Sequence, residues 1–226
     1  KLDIVSPFTA PTHITEGQNW NDNVFDDWEN LFNQISKEDG EEINILEIGS
    51  WEGLSATRFL GMVPDCTLWC IDHFDELKTE SGKERLRKFL YNTRATGKRE
   101  NVRLMIGFSF PSLTAILKTG TQFDFAYIDG SHRSDDTFLD AEIVWRMSKK
   151  KSLVLFDDYD WPTKSSKYPD NPTSLNDIEH PKQGIDAFVN IHKDELEMVQ
   201  KNYQVCVKKS TNVRLGFPLA GDVTLI

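Results

Sequence analysis

Short apolar runs alternate with longer amphipathic stretches along most of this chain, and that rhythm limits the fold more than any composition figure does. Residues 43–48, 67–71, 102–106, 123–128 and 152–156 read as buried strands. Between them lie a stretch with Ala56, Phe59 and Leu60, one around Leu86, Phe89 and Leu90 (residues 75–100), and residues 134–147, all with helical spacing. Ser134 is a good N-cap ahead of Asp135 and Asp136, and Pro111 sits where a helix would begin after the third strand. Strand and helix in regular turn mean parallel strands joined by right-handed crossovers. The fold class is therefore α/β, a doubly wound and mostly parallel sheet. Seven strands are expected. A helix over 185–192 should precede the last two, 203–207 and 213–217, which would form an antiparallel hairpin about Ser210-Thr211-Asn212.

A chain of 226 residues with 38% hydrophobic content is long enough for one such domain with a real core. The formal charge of −10 argues against a nucleic-acid partner, which demands a basic surface. Nine of the 26 basic residues fall between Lys78 and Arg103, a run that reads as a solvated helix face. No apolar run approaches the roughly 20 residues that span a bilayer, so no membrane partner is expected. Three cysteines cannot all pair. Cys66 and Cys70, on one strand, would stand about 13 Å apart, beyond the roughly 7 Å between Cα atoms that a disulfide spans. Free buried thiols suit a reducing, cytoplasmic setting. The opening Lys-Leu-Asp-Ile has neither an initiator Met nor a signal peptide, as expected of a domain cut from a longer protein. Residues 1–20 lack periodicity and read as an arm. From Asn23, the residues Val24, Phe25, Trp28, Leu31, Phe32 and Ile35 share one helical stripe, which would pack on the sheet or on a second copy of the chain as a homo-oligomer. The chain thus divides into an arm and helix over 1–40 and one domain over 41–226.

Two of the strands end in acids. The run over 123–128 delivers Asp129, then Gly130 and Ser131, then His132; the run over 152–156 ends in Asp157 and Asp158. Ligands of an open parallel sheet sit beyond the carboxyl ends of its strands. If these strands are neighbours, their carboxylates and imidazole converge there, a set able to hold a divalent metal and a base against a substrate hydroxyl. Upstream, Glu47-Ile48-Gly49-Ser50-Trp51-Glu52-Gly53 leads from a strand into a helix, a turn that lets backbone approach a ligand closely. Trp51 and Leu54 stand where a dinucleotide fingerprint needs its later glycines, so a phosphate-free nucleoside fits better than a pyrophosphate. Asp72, 23 positions after Gly49, sits where an acid commonly takes ribose hydroxyls, with His73 and Phe74 at the adenine edge. The stretch 161–181, rich in proline, serine and asparagine, leaves directly from the acid pair and reads as a substrate lid carrying Trp161 and Tyr168. His13, His180 and His192 fall in loops or on an amphipathic helix and are not candidates. Each motif has a plainer use. Asp157-Asp158 could cap a strand end, His132 could bond its own turn, and Glu47 could merely support the glycine turn.

Glu47-x-Gly49-x-x-x-Gly53, the acid at Asp72, Asp129-Gly-x-His132 and Asp157-Asp158-Tyr159 together resemble the class I S-adenosylmethionine-dependent methyltransferases. More narrowly, they are similar to the metal-dependent branch with the macrocin and mycinamicin sugar O-methyltransferases and the cephalosporin-hydroxylase-like proteins. The resemblance covers residues 42–160 and not the two ends. It implies a Rossmann-like domain in which Glu47, Gly49 and Gly53 shape the methionine end of the cofactor pocket. It also implies that Asp72 takes the ribose with His73 nearby, that Ser109 lies near the adenine, and that Asp129 borders the cofactor. Asp129, Asp157 and Asp158 would ligate Mg²⁺ or another divalent cation, His132 beside Asp129 would be the general base, and Tyr159, Trp161 and Tyr168 would meet the acceptor. Relatives often carry Glu at the first acid of the later pair, and Asp157 is a methylene shorter.

The implied activity is Mg²⁺-dependent transfer of a methyl group from S-adenosylmethionine to a hydroxyl of a sugar, glycan or other polyhydroxylated small molecule. A sugar hydroxyl is a poor nucleophile at neutral pH. A hard cation can stabilise developing alkoxide charge, and an imidazole with a pKa of about 6.5 can take the proton. Two other readings stand beside this one. One is a metal-independent methyltransferase acting on a phenol, which ionises near pH 10 and needs less help. The other is a non-catalytic nucleoside-binding domain of a larger protein.

Overall fold

The computed structural model describes residues 28–35, 42–63, 65–160 and 180–211. Among them β1 (Ile43–Ile48) lies between β2 (Cys66–Asp72) and β4 (Phe123–Ile128), with β3 (Val102–Ile106) outside β2 and β5 (Ser148–Phe156) outside β4, all parallel. β7 (Val205–Lys209) and β6 (Leu196–Lys201) complete the sheet antiparallel, in the order β3-β2-β1-β4-β5-β7-β6. The expected seven-stranded, doubly wound architecture is what the chain adopts. Its strand order reverses between β1 and β4, the place where open sheets of this kind leave a crevice.

Period-two alternation divides the core. Ile45, Phe125, Tyr127 and Leu155 face α1 (Trp28–Phe32), α2 (Leu54–Met62) and α3 (Glu80–Ala95). Leu46, Ala126, Val154 and Phe156 face α4 (Ser109–Thr119), α5 (Ser134–Met147) and α6 (Pro181–Ile191). The described part of the N-terminal stripe packs on the first face: Trp28 is fully buried, stacked on Phe59 at 4.9 Å and edge-on to Tyr127 at 5.1 Å. The three cysteines are free and buried, and no helix among the described residues is long and apolar enough to cross a membrane.

Several details differ from expectation, among them the start of α6, which lies at Pro181 and not at residue 185. The helix expected over 75–100 begins only at Glu80, where the Thr79 hydroxyl accepts from the Gly82 amide at 2.9 Å. Ahead of it Phe74–Leu77 forms a turn with φ of +41 to +60. Ser134 is the first helical residue, so Arg133 stands at the N-cap with no side-chain cap. β5 starts at Ser148, its polar beginning Ser-Lys-Lys-Lys hiding it from an apolar search. The hairpin pairs β6 with β7 around Asn202–Gln204, and residues 213–217 lie outside the described residues. β6 was hidden because it is an edge strand, Leu-Glu-Met-Val-Gln-Lys, with no fully buried position.

α5 and α6 touch through Gly184, where an added Cβ would stand 2.1 Å from the Ser134 carbonyl oxygen. Gly184→Ala gains about 1 kcal/mol of helix propensity, but overpacking costs about 1–3 kcal/mol or more. The clash should win, and the urea midpoint should fall. A midpoint that rises would show that the two helices separate at no cost.

Candidate functional site

The parallel ladder continues one residue past the strands. The amide of Gly49 donates to Ile71 O (2.9 Å), that of Asp129 to Ile48 O (2.9 Å) and that of Asp157 to Ile128 O (3.0 Å). Because Ile48 is level with Ile71 and Ile128, and Phe156 with Ile128 and Val205, the next row contains Asp72, Gly49, Asp129, Asp157 and Gln204. Two rows beneath it, on the same face, lie Cys70, Glu47, Tyr127, Leu155 and Cys206. Neighbours along such a row are about 4.8 Å apart, so the candidate acids are crowded by construction.

His132 Nε2 lies 3.0 Å from Asp158 Oδ2, and the Tyr203 hydroxyl donates to Asp158 Oδ1 at 2.5 Å. Ligating atoms of Asp129, His132 and Asp158 all lie within 4.8 Å of one another. Asp157 is engaged differently. Its Oδ1 accepts from Gln204 Nε2 and from the Asp158 amide, both at 2.9 Å, and its Oδ2 accepts the Tyr127 hydroxyl. Tyr127 also reaches Asp129 Oδ2 at 3.3 Å. A carboxylate offers about four lone-pair positions, so most of those on Asp157 are taken. The expected ligand trio of Asp129, Asp157 and Asp158 is therefore gathered in one cleft. Its tightest grouping, however, has His132 in the place of Asp157.

The electrostatics follow from this crowding. Burial, then the charges of Asp157 and Asp158, hold the Asp129 carboxyl well above the usual range. Burial and Asp158 push Asp157 up to about 6, against the hydrogen bonds from Tyr127 and Gln204. For His132 burial works downward, but the hydrogen bond to Asp158 and the charges of Asp158 and Asp157 leave its pKa raised.

The glycine turn is held from within. Glu47, fully buried, accepts from the hydroxyls of Ser50 (2.6 Å) and Ser55 and from the Cys70 thiol (3.2 Å), tying β1 and β2 to the start of α2. These bonds hold the glycine turn against the two strands. Gly49 has φ +90, and a Cβ there would stand 1.8 Å from the Asp129 carbonyl oxygen, so no side chain fits. Gly53, at φ +85, immediately precedes α2. Asp72 accepts the amides of Trp51 (2.8 Å) and Phe74 (2.7 Å), and His73 stacks on the exposed ring of Phe108 at 5.4 Å. Ser109, at the start of α4, hydrogen-bonds to buried Asp140, whose carboxyl desolvation raises to about 6.

Tyr159 does not join this group: it is 5% exposed, packs in the second core layer and donates its hydroxyl to Asp186 at 2.9 Å. Trp161, Tyr168 and His13 lie outside the described residues. His180 caps α6, and His192 is buried between Glu142 and Glu195, so both have structural roles.

A family model for a methyltransferase domain matches residues 46–159, half of the chain. The chain belongs to the methyltransferase domain family. Solved structures share the fold. An O-methyltransferase from Bacillus cereus, in complex with SAH, is 17% identical at a TM-score of 0.57, covering 88% of this chain and 84% of that one. TomG, an O-methyltransferase from Streptomyces achromogenes in complex with SAM, is 16% identical at 0.58, covering 81% and 78%. A candidate caffeoyl-CoA O-methyltransferase from Staphylococcus aureus is 14% identical at 0.62, covering 88% and 86%. Comparison with curated protein sequences finds no match.

Within this methyltransferase domain, Tyr127, Tyr203, Gln204 and Asp140 were not among the expected site residues. Tyr127 was within reach of sequence reasoning, since two residues before Asp129 on a strand is the same face. The others join the site only through sheet pairing and helix packing.

Asp157 and Asp140, both raised to about 6, bind protons more tightly folded than unfolded. Their protonation therefore stabilises the fold, and stability should fall as pH rises from about 4 through 6. The melting temperature of ion-free protein should trace this decline, and Asp157→Asn should flatten it. A rising curve over that window would contradict the assignment.

Proposed function

We propose that this methyltransferase domain moves a methyl group from S-adenosylmethionine to a hydroxyl oxygen, with a divalent cation at Asp129 and Asp158 and His132 as general base. The crowding of Asp129, Asp157 and Asp158 against one imidazole carries the reading. Like charges in a partly desolvated cleft repel, and a cation relieves that cost. Carboxylate oxygens suit a hard ion such as Mg²⁺, which when bound polarises a coordinated oxygen. The cofactor is supported by the SAM and SAH in the neighbouring structures. It is supported also by Asp72, which spends only part of its acceptor capacity on the Trp51 and Phe74 amides, and by the flat His73–Phe108 pair.

The protein's own groups then have definite tasks. Paired with Asp158 through Nε2, the His132 imidazole takes the acceptor's hydroxyl proton. As the proton leaves, the oxygen lone pair forms the new C–O bond. The S–CH₃ bonding pair returns to sulfur, which departs as a thioether. Asp158 stabilises the imidazolium, and the His132 side chain, 44% exposed, returns the proton to water. We assign the acceptor to sugars, glycans or other polyhydroxylated small molecules. Adjacent hydroxyls can bind one cation together, and the ring of Tyr203, 39% exposed beside Asp158, offers a surface for a pyranose face. Trp161 and Tyr168 keep their expected place as acceptor contacts in this proposal. The same distances favour a second reading in which His132 is a third ligand, and a nitrogen donor would shift preference from Mg²⁺ toward Mn²⁺ or Zn²⁺.

Purified protein with S-adenosylmethionine, Mg²⁺ and a panel of polyols should yield methylated products detectable by mass spectrometry. EDTA should abolish them, and His132→Ala should lower kcat about 10²- to 10⁴-fold. Undiminished methylation in EDTA would remove the cation from the mechanism, and an unchanged kcat in the histidine variant would remove the base. Tighter Mn²⁺ than Mg²⁺ dependence, lost with His132→Ala, would favour the second reading.

A further inference from the structure

Gln204 is 2% exposed and belongs to the β6–β7 turn, far in sequence from every expected site residue. Its Oε1 accepts the indole N–H of Trp28 at 3.0 Å, and its Nε2 donates to Asp157 Oδ1 at 2.9 Å. A glutamine amide can be turned end for end, but an indole only donates. The oxygen must therefore face Trp28 and the NH₂ must face Asp157. Trp28 has no freedom to reverse this, because its ring is stacked on Phe59 with 2° between the planes and meets Tyr127 edge-on. Tyr127 completes the arrangement by donating its hydroxyl to the other oxygen of Asp157. Asp157 is thus a half-buried carboxylate whose two oxygens accept from Tyr127, Gln204 and the Asp158 amide, and the Gln204 donor is oriented by the N-terminal helix.

We propose that Gln204 is a positioning residue of the cation site, acting through Asp157, and that Trp28 sets its orientation. The inference rests on the cation reading above. Without the Gln204 amide, Asp157 loses one of the three hydrogen bonds that fix its carboxylate beside Asp129 and Asp158. Outer-shell groups that hold the surroundings of metal ligands in place, as Asp157 and Gln204 would beside Asp129 and Asp158, typically change metal affinity 10- to 100-fold. The helix containing Trp28 is on this account a working part of the site and more than a cover for the sheet.

The test is calorimetric titration of Mn²⁺ into the full chain, as wild type, Gln204→Met, Trp28→Phe and the double variant, with the affinity for S-adenosylhomocysteine measured alongside. Gln204→Met should weaken Mn²⁺ binding about 10-fold. Trp28→Phe, which keeps a ring beside Tyr127 and removes the indole N–H, should weaken it less, and the double variant should lie close to Gln204→Met alone, since that N–H reaches Asp157 through Gln204. S-adenosylhomocysteine affinity should stay within about twofold throughout, which a general loosening of the fold would not permit. Unchanged Mn²⁺ affinity in Gln204→Met, additive losses, or parallel loss of both ligands would overturn the inference. Should Gln204→Met not fold, Trp28→Phe, which keeps a ring on Phe59, decides alone: selective loss of Mn²⁺ affinity supports the inference and unchanged affinity overturns it. A wild type that takes up no Mn²⁺ overturns this inference and the cation reading together, whereas uptake indifferent to Gln204 overturns only the former.

Discussion

Parallel strands that end at one height place the next residue of each strand in a common row, and in this protein that row is Asp72, Gly49, Asp129, Asp157 and Gln204. Amide-to-carbonyl bonds extend the ladder into it, so these residues are held as firmly as the strands themselves. The spacing of about 4.8 Å is too short for two ionised carboxylates to sit side by side without cost. It is also too short for any side chain at Gly49, whose Cα faces the Asp129 carbonyl. The rest of the site is a response to that confinement.

Donors supply the response. Tyr127 rises from two rows below to Asp157, Gln204 approaches from the side, and Tyr203 and His132 converge on Asp158. Asp158 itself sits at φ +58, a left-handed conformation that costs an aspartate of order 1–3 kcal/mol. The bonds to Tyr203 and His132 and the ladder bond at Asp157 offset that cost. The result stores unfavourable charge in the cleft, and the proposed cation site rests on that cost.

That one backbone reversal explains where sequence reasoning went astray. Regular alternation would send Asp158 to the far face of the sheet and Tyr159 to the site. The positive φ at Asp158 interrupts the alternation, so Asp158 faces His132 and Tyr159 drops into the second core layer against Asp186. The misplaced hairpin has a different cause. β6 is an edge strand whose polar composition conceals it, so the search for a strand partner passed to residues 213–217. By contrast β4 begins and ends where its residues predicted, because it is buried throughout, and α5 spans the predicted residues although its cap is Arg133.

The amino-acid sequence alone determined the α/β class, the strands that end in acids, the glycine turn after β1 and the acid at Asp72. All of these are local matters of periodicity and of which residues tolerate a given backbone. Which side chains meet was decided only in three dimensions. The register of β5 against β7 brings Gln204 beside Asp157, packing of α1 on the sheet brings Trp28 to Gln204, and the left-handed turn at Asp158 selects His132 as its partner. Contacts between residues tens of positions apart, and in the case of Trp28 and Gln204 more than a hundred, depend on the closing of the whole sheet, and no short stretch of the chain contains the information that sets them.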